Sequence, residues 1–412
     1  MPNGPQGETD PADQSRNNDL RWAETALFDT PGHVLNHESG PSTSSATTSW
    51  TALPARGPLR RLVPASARFA AEAFANDHDA MSPTRRAMGR AARLSVRSGT
   101  LRFAPKLYAD TTTVFHDPAS SVIAAAADAL GRPIAAAAIT LGPRRYNRKP
   151  VVQLMNAAAE TVGYLKVGAS PLTSAMVATE AATVDRLCPT SAILRVPTVL
   201  WRSRWHGCEV ACFSSVAVRA AELVAADPSR LVEIALAVVQ AGGGQHDHTL
   251  RDCVPFTRVR SAAGPNSDIQ KLIDTAAEVF GDRTVSIGSW HGDFSPWNMI
   301  STADSTALID WEFADDAMAI GADLLHNRVM TATHLRGEAP WRPLRVLLDA
   351  GDDVPELHAM AVPSHQHRPH LLLYLLELMR RDLELQRLNQ PDTGFGVSAR
   401  AAAQAILADA VR

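Results

Sequence analysis

Residues Thr284–Trp311 read TVSIGSWHGDFSPWNMISTADSTALIDW. An apolar strand opens this segment, a polar loop follows, and two short strands joined by the turn-prone residues 302–305 complete it. The loop begins with the triplet HGD at 291–293 and ends at Asn298, and Asp310 ends the last strand. One loop and the end of the neighbouring strand therefore hold the residue types that carry chemistry.

This loop closely resembles the H-G-D-x-x-x-x-N catalytic loop of the small-molecule kinase superfamily that includes aminoglycoside phosphotransferases and choline kinases. The residues IDWE, at 309–312, resemble the metal-binding segment of that superfamily, and both halves match in order and spacing. The resemblance implies an α+β, bilobal protein kinase-like fold with a small β-rich N-lobe and a mostly helical C-lobe. It also implies an ATP-dependent phosphotransferase that transfers the γ-phosphate to a hydroxyl group of a small molecule.

The resemblance assigns a role to each polar residue of the segment. Phosphoryl transfer needs an aligned hydroxyl and neutralised phosphate oxygens more than it needs covalent help. Asp293 is then the catalytic base, which accepts the hydrogen bond and the proton of the substrate hydroxyl. Asn298 and Asp310 supply the amide and carboxylate oxygens that Mg²⁺ prefers. His291 is expected to brace the loop rather than to exchange protons, and Asp323 resembles a buried aspartate that braces the same loop.

A kinase-like first lobe also needs a strand lysine that binds the ATP phosphates and a glutamate on the following helix. Lys166 lies in the predicted strand Val162–Val167, and Glu180 follows fourteen residues later on a predicted helix. Glu180 falls on the apolar face of that helix, where a carboxylate is costly without a cation. Only four of the forty basic residues are lysine, so a lysine inside a strand is an unusual choice for this chain. We therefore predict a nucleotide-binding ion pair.

The predicted nucleotide loop, Gly142–Pro150, reads GPRRYNRKP and lacks the G-x-G-x-x-G of protein kinases. Two interpretations of its three arginines and one lysine stay open. They contact phosphate oxygens, or they form the solvated side of a basic hairpin turn. The order of elements in the lobe places the adenine-binding hinge at Phe213–Val216, with Phe213 and Ser214 as nucleotide-binding residues.

Composition divides the chain into four parts. Residues 1–55 are rich in Gly, Pro, Ser, Thr, Asn and Asp, which predicts a mostly flexible leader, so a partly disordered N-terminal extension would precede the lobes. Residues 56–130 are predicted to form a basic helical extension or cap, because eleven basic and three acidic residues lie at 56–106 among helically spaced alanines and leucines. The nucleotide-binding lobe then spans 131–216, and the catalytic and acceptor-binding lobe spans 217–412.

Hydrophobic periodicity predicts the elements within the two lobes. The predicted strands of the first lobe are Ile134–Leu141, Val151–Met155, Val162–Val167, Thr198–Trp201 and Val210–Phe213. The predicted helices are Leu172–Leu187 in the first lobe, and Arg230–Gln240, Asp268–Phe280 and Leu371–Leu388 in the second. The last of these is strongly apolar and is expected to be central.

Length and composition exclude several classes of protein. A chain of 412 residues with 45% hydrophobic and 20% charged residues is typical of an ordinary globular enzyme, and a net charge of -3 argues against nucleic acid as a partner. Four cysteines cannot form a dense disulfide framework, which favours a reducing compartment. The start of the chain lacks the pattern of a secretory signal, and no uninterrupted apolar run predicts a transmembrane helix. The sequence therefore predicts a cytoplasmic protein.

The acceptor is left open among sugars, amino sugars, aminoglycosides and other alcohols, because a shared fold does not choose among them. Trp297 and Trp311 would suit stacking on a sugar ring. The alternative function is a catalytically silent, nucleotide-binding regulatory protein of the same fold. Such proteins commonly lose the base or a metal ligand, whereas this chain keeps the full set. Phosphorylation of protein side chains is disfavoured because only a short stretch follows Asp310.

Overall fold

A computed structural model describes residues 11–30, 35, 47–55, 57–75, 91, 93–187, 191–216, 227–264, 267–390 and 394–411. The chain is α+β and divides into two compact units. The first unit comprises Met1–Asp77, Arg86–Ala181 and Pro197–Ala220, and the second comprises His78–Arg85, Ala182–Val196 and Ala221–Arg412. An antiparallel sheet dominates the first unit, and helices dominate the second. The α+β class, with a β-rich part followed by a mostly helical part, is confirmed.

The strands and helices have the following bounds. The strands are β1 (Thr47–Leu53), β2 (Arg61–Pro64), β3 (Lys106–Asp110), β4 (Ala136–Thr140), β5 (Val151–Met155), β6 (Thr161–Val167), β7 (Leu194–Arg195), β8 (Val199–Trp205), β9 (Cys208–Phe213), β10 (Gln245–Thr249), β11 (Thr284–Trp290), β12 (Met299–Ser301), β13 (Thr306–Leu308) and β14 (Asp315–Ala319). The helices are α1 (Pro11–Leu27), α2 (Ala67–Ala75), α3 (Thr111–Phe115), α4 (Val122–Leu130), α5 (Pro171–Arg186), α6 (Pro228–Ala241), α7 (Val254–Ala262), α8 (Asp268–Phe280), α9 (Ala322–Met330), α10 (Trp341–Asp349), α11 (Pro355–Ala359), α12 (His367–Arg387) and α13 (Phe395–Val411).

The sheet of the first unit has eight strands in the order β3-β1-β2-β4-β5-β6-β9-β8, and every neighbouring pair is antiparallel. Alternate residues of β4 enter different cores, because successive side chains of a strand point to opposite faces. Ala137 and Ile139 join a core that includes α1 and α4, whereas Ala136 and Ala138 join a core that includes α2. The sheet is therefore covered on both faces.

The N-terminal part of the chain differs from the prediction. Within the predicted flexible leader, residues 11–27 form α1 and residues 47–53 form β1, which pairs with both β2 and β3. Leu20, Ala23 and Leu27 are spaced three and four residues apart and are buried against the sheet, so one apolar stripe anchors an otherwise polar helix. The indole Nε1 of Trp50 donates to the carbonyl oxygen of Ala137 at 2.6 Å. The other leader residues, apart from 28–30, 35, 54 and 55, lie outside the described residues.

The predicted basic helical extension is also mixed in structure. Residues 56–130 contain helices α2, α3 and α4, but they also supply β2 and β3 to the sheet. These two strands have only four and five residues, and their partners are distant in sequence, so their local pattern is too short to be distinguished from a helix. The described part of the extension is thus built into the first unit as sheet and covering helices.

The second unit contains two three-stranded sheets, with the orders β10-β11-β14 and β12-β13-β7. The buried strand β11 leads into the HGD loop, and the β12–β13 hairpin follows that loop. Helix α12 is central, as predicted, since residues 371–376 are all buried. Among the described residues, no helix is long and apolar enough to cross a membrane.

Candidate active site

The HGD loop leaves β11 through a backbone path that only glycine accommodates. Gly292 has a φ of 82°, and a Cβ atom at this position would lie 2.0 Å from the carbonyl oxygen of Phe313. A side chain there would therefore both strain the backbone and collide with the segment after Asp310. Glycine at this position therefore permits the tight turn between His291 and Asp293.

His291 braces the loop from inside the protein. Its ring is fully buried, and burial lowers the pKa of the imidazole to about 4. Nδ1 accepts a hydrogen bond from the backbone N–H of Asp293 at 3.2 Å, and Nε2 lies 3.0 Å from the carbonyl oxygen of Ile309. These contacts define a neutral ring that donates from Nε2 and accepts at Nδ1, so His291 connects the loop to the residue before Asp310.

Asp323 holds the other side of the turn. It lies in the first turn of α9, and its two carboxylate oxygens accept the backbone N–H groups of His291 at 2.8 Å and Gly292 at 3.2 Å. Burial raises the pKa of Asp323 to about 7, although both hydrogen bonds act in the opposite direction. The residue satisfies two buried donors and is the brace that the sequence indicated.

The carboxylate of Asp293 is held on one side and reachable on another. Asn298 donates from Nδ2 to Oδ2 at 2.9 Å and to the backbone oxygen at 3.0 Å, and the hydroxyl of Ser295 donates to Oδ1. Nε2 of His326 lies 3.4 Å from Oδ1. Burial acts to raise the pKa of Asp293, but the hydrogen bonds from His326 and Ser295 hold it below its ordinary value. The side chain nevertheless keeps 26% exposure.

His326 was missed by the sequence analysis. Burial lowers the pKa of its imidazole, so the neutral ring donates from Nε2 to Asp293 while Nδ1 lies 3.4 Å from the hydroxyl of Tyr374. A signal did exist, because His326 follows Asp323 by three residues on one helix and thus shares its face. His326 orients the carboxylate that the sequence identified.

Arg381 is a second residue that the sequence analysis missed. Its guanidinium donates to the carbonyl oxygen of Gly292 at 2.8 Å and to Glu377 at 2.8 Å, and it lies over the rings of Trp290 and Phe313. Burial acts to raise the pKa of Glu377, but Arg380 and Arg381 hold it at about 2. An i, i+4 ion pair inside an apolar helix was the available sequence signal.

The predicted metal ligands are brought to the same end of the β12–β13 hairpin. Met299 pairs with Leu308, and one residue further the N–H of Ile309 donates to the carbonyl oxygen of Asn298 at 3.0 Å. Asp310 follows immediately in the left-handed region, with a φ of 63°, which is uncommon outside glycine and marks a constrained position.

This donor set fits Mg²⁺. The amide nitrogen of Asn298 is occupied by Asp293, which leaves the amide oxygen as the ligand atom. Among the described residues, no cluster of three or more His, Cys, Asp or Glu side chains is arranged to hold a metal. Mg²⁺ needs no such cluster, because it commonly takes one or two protein oxygens and completes its octahedron with water and phosphate.

The first unit contains the predicted ion pair. Lys166, on β6, donates to Oε1 and Oε2 of Glu180, on α5, at 2.6 and 2.8 Å. Its ammonium group also lies 5.4 Å from the ring centroid of Phe213. Both charged groups are buried, so each one requires the other.

The predicted hinge begins at the last residue of β9. Phe213 is the last residue of that strand and is buried, and the N–H of Ser214 donates to the carbonyl oxygen of Thr198 at 2.8 Å. The hydroxyl of Ser214 accepts from the N–H of Thr198 at 2.9 Å. The Ser214 N–H is thereby used inside the protein, so an adenine contact at this hinge would use carbonyl oxygens or the residues just after Ser214.

The two tryptophans of this segment have different environments. Trp311 is fully buried, donates to the carbonyl oxygen of Leu308 at 3.0 Å and packs on His291, so it is not placed to stack on a sugar. Trp297 is only partly buried, and its ring lies 5.4 Å from that of His334. Only Trp297 keeps the predicted option of contacting an acceptor ring.

Comparison with known proteins gave structural similarity only. No protein-family model matches the sequence, and the curated proteins contain no match. The fold is similar to choline kinase LicA from Streptococcus pneumoniae, with 12% identity over 67% of this chain and 94% of that one, at a TM-score of 0.43. It is also similar to a thermostable mutant of aminoglycoside phosphotransferase APH(4)-Ia, with 14% identity over 69% and 97% of the two chains, at a TM-score of 0.42. The GDP complex of aminoglycoside 2'-phosphotransferase-IIIa matches at 12% identity over 67% and 93%, at a TM-score of 0.40.

Proposed function

We propose that this protein is an ATP-dependent phosphotransferase that transfers the γ-phosphate to a hydroxyl group of a small molecule. The observation that carries the proposal is the environment of Asp293. Its carboxylate is oriented by three neutral donors, from Asn298, Ser295 and His326, and is still partly exposed. An ionised, oriented and reachable carboxylate in an HGD loop is suited to align an alcohol for attack on phosphorus.

The step assigned to Asp293 is proton acceptance. The acceptor hydroxyl donates a hydrogen bond to the carboxylate, its oxygen forms the new bond to the γ-phosphorus, and the bond from that phosphorus to the leaving ADP oxygen breaks. The hydroxyl proton passes to Asp293. Because the pKa of Asp293 lies below its ordinary value, the group is ionised at neutral pH and acts first by orientation, with proton transfer late in the reaction.

Metal and nucleotide are assigned to the remaining predicted residues. Asn298 and Asp310 would hold Mg²⁺, which when bound supplies positive charge to the phosphate oxygens. Lys166, oriented by Glu180, would bind the nucleotide phosphates, and Phe213 and Ser214 would border the adenine. Burial of the Lys166–Glu180 pair supports this assignment, since a buried pair of this kind restricts the lysine to one position.

For the acceptor, we infer a sugar, amino sugar or aminoglycoside. The partly exposed ring of Trp297, which lies inside the catalytic loop, supports a ring-shaped acceptor, because tryptophan stacks well on apolar sugar faces. We place the reaction in the cytoplasm, in agreement with the free thiols of Cys208, Cys212 and Cys253.

The test is Mg²⁺-dependent ADP release from ATP against a panel of neutral sugars, amino sugars, aminoglycosides and amino alcohols. Asp293→Asn should lower turnover by about 10²- to 10⁴-fold, with little change in ATP affinity, because the amide cannot accept the proton. Asp304→Asn, an exposed aspartate in the β12–β13 turn, is the matched control and should behave as wild type.

Full turnover by Asp293→Asn would overturn the assigned mechanism. ATP binding without turnover on any acceptor would favour the catalytically silent regulatory protein instead. Failure of the wild type to bind Mg²⁺-ATP would overturn the kinase assignment itself.

A further inference from the structure

The basic loop 142–149 lies beside the predicted phosphate-binding lysine. It connects β4 to β5, and the first residue of β5, Val151, is paired directly with Lys166 on β6. The N–H of Val167 also donates to the carbonyl oxygen of Pro150 at 3.1 Å. The loop therefore ends within one strand spacing of Lys166, at the position where kinase folds cover the nucleotide phosphates.

Helix α1 holds this loop from one face. Oδ1 of Asp19 receives Nε of Arg144 at 2.9 Å and Nη1 of Arg148 at 2.8 Å. Arg144 also donates to the carbonyl oxygen of Ser15 at 2.6 Å, and the guanidinium of Arg148 stacks 4.2 Å from the ring of Trp22. Positions 15, 19 and 22 are four and three residues apart, so they form one face of α1.

Asp19 is a buried charge that depends on Arg144 and Arg148 as its partners. It is 1% exposed, and its second oxygen accepts the N–H of Leu59 at 3.0 Å. Burial acts to raise the pKa of Asp19, but the hydrogen bonds from Arg144 and Arg148 hold it below its ordinary value. A buried carboxylate of this kind restrains both arginines, since separating them would leave the charge without a partner.

The loop also has a basic residue that is not engaged in this way. Arg145 is exposed and, within the described residues, makes no ion pair. Arg144 and Arg148 therefore have a role that neither interpretation of the loop included, because they pair with Asp19. They anchor the loop, whereas Arg145 is exposed to solvent.

We propose that helix α1 is a built-in clasp, with Asp19 as the positioning residue that fixes the 142–149 loop for binding the nucleotide phosphates. This inference rests on the proposed function. It assigns to the N-terminal extension a role in nucleotide affinity, and it makes Asp19 a positioning residue for a ligand that it does not itself contact.

The test is calorimetric titration of the full chain with Mg²⁺-ATP, which needs no knowledge of the acceptor. Asp19→Asn should raise the dissociation constant about tenfold, because the charge-assisted anchor of the loop is lost. Arg144→Gln should act in the same direction, and the double variant should show less than the sum of the two effects, since both changes break one contact. Arg144 is about half exposed, so its variant is expected to fold even if Asp19→Asn does not.

Glu24→Gln is the matched control. Glu24 is also buried on α1, but it accepts the N–H of Leu35 and not a loop arginine. A merely structural role for α1 would make Glu24→Gln and Asp19→Asn lose thermal stability and ATP affinity together. The clasp requires a selective affinity loss in Asp19→Asn and Arg144→Gln.

Hydrogen exchange of the 142–149 amides gives a second readout. The clasp predicts faster exchange in Asp19→Asn than in Glu24→Gln at matched thermal stability. Wild-type affinity in Asp19→Asn and Arg144→Gln would overturn the clasp while leaving the kinase proposal intact. Absence of Mg²⁺-ATP binding by the wild type would instead overturn the proposed function.

Discussion

Asp293 is part of the HGD loop, Asp323 contacts that loop from helix α9, and the two aspartates have opposite environments. Asp323 is buried beneath the turn, where it accepts two backbone N–H groups, and burial raises its pKa to about 7. Asp293 lies at the open side, where side-chain donors hold its pKa below the ordinary value and part of the group stays exposed. The same residue type is therefore used once to fix backbone geometry and once to present a charge.

The largest expected effect comes from removing Asp323, the buried aspartate of this pair. Asp323→Ala leaves the N–H groups of His291 and Gly292 buried without acceptors, and it should lower the free energy of unfolding by about 2–5 kcal/mol. Activity should fall with it, because the turn that positions Asp293 is lost. Chemical denaturation and ADP release on the same preparations check this. A variant with wild-type stability would show that Asp323 is not the brace of the loop.

The pH dependence of stability should also separate the two aspartates. The pKa of Asp323 is raised on folding, from 3.8 to about 7, so the folded state binds more protons in this window and the contribution of Asp323 falls as pH rises. Relative to Asp323→Asn, the free energy of unfolding of the wild type should fall by up to about 1.4 kcal/mol per pH unit between about pH 4 and 7. The pKa of Asp293 is lowered, so its contribution is present above the unfolded pKa and is lost only under acid conditions. Denaturation at a series of pH values tests both signs, and equal slopes for wild type and Asp323→Asn would contradict the raised pKa.

A smaller effect should follow from weakening a hydrogen bond to Asp293, the partly exposed aspartate of this pair. His326→Gln replaces the imidazole N–H with a side-chain amide and weakens the hydrogen bond to Oδ1 of Asp293. The pKa of Asp293 should then rise, and the acid limb of kcat/KM should move to higher pH. Turnover at neutral pH should fall by about tenfold. His248→Gln, on the exposed strand β10, is the control. If the acid limb of kcat/KM does not shift in His326→Gln, His326 does not orient Asp293.

The sequence identified some residues of the candidate site and missed others, for a physical reason. Asp293, Asn298 and Asp310 lie within eighteen residues of one another, so their spacing alone identified them as a set. His326 and Arg381 come from α9 and α12, and they reach the loop only because those helices pack beneath it. The sequence around them carries only weak signals, namely the three-residue spacing of Asp323 and His326 and the four-residue spacing of Glu377 and Arg381.

The same difference between local and long-range signals applies to the strands and helices. Strand β5 and helix α8 have the predicted bounds, because each carries a complete local period of apolar residues. The strands β1, β2 and β3 were not anticipated, since their stability comes from partners far along the chain and from the helices that cover them.

The sequence by itself determined the α+β class, the strand and helix that hold Lys166 and Glu180, and the loop that carries Asp293. These features are local, or they depend on a costly charge that demands a partner. Tertiary structure alone decided that α1 engages the basic loop, that Trp311 is buried and that His326 orients Asp293. Each of these contacts joins segments distant in sequence, and such pairings depend on packing geometry, which no local pattern encodes.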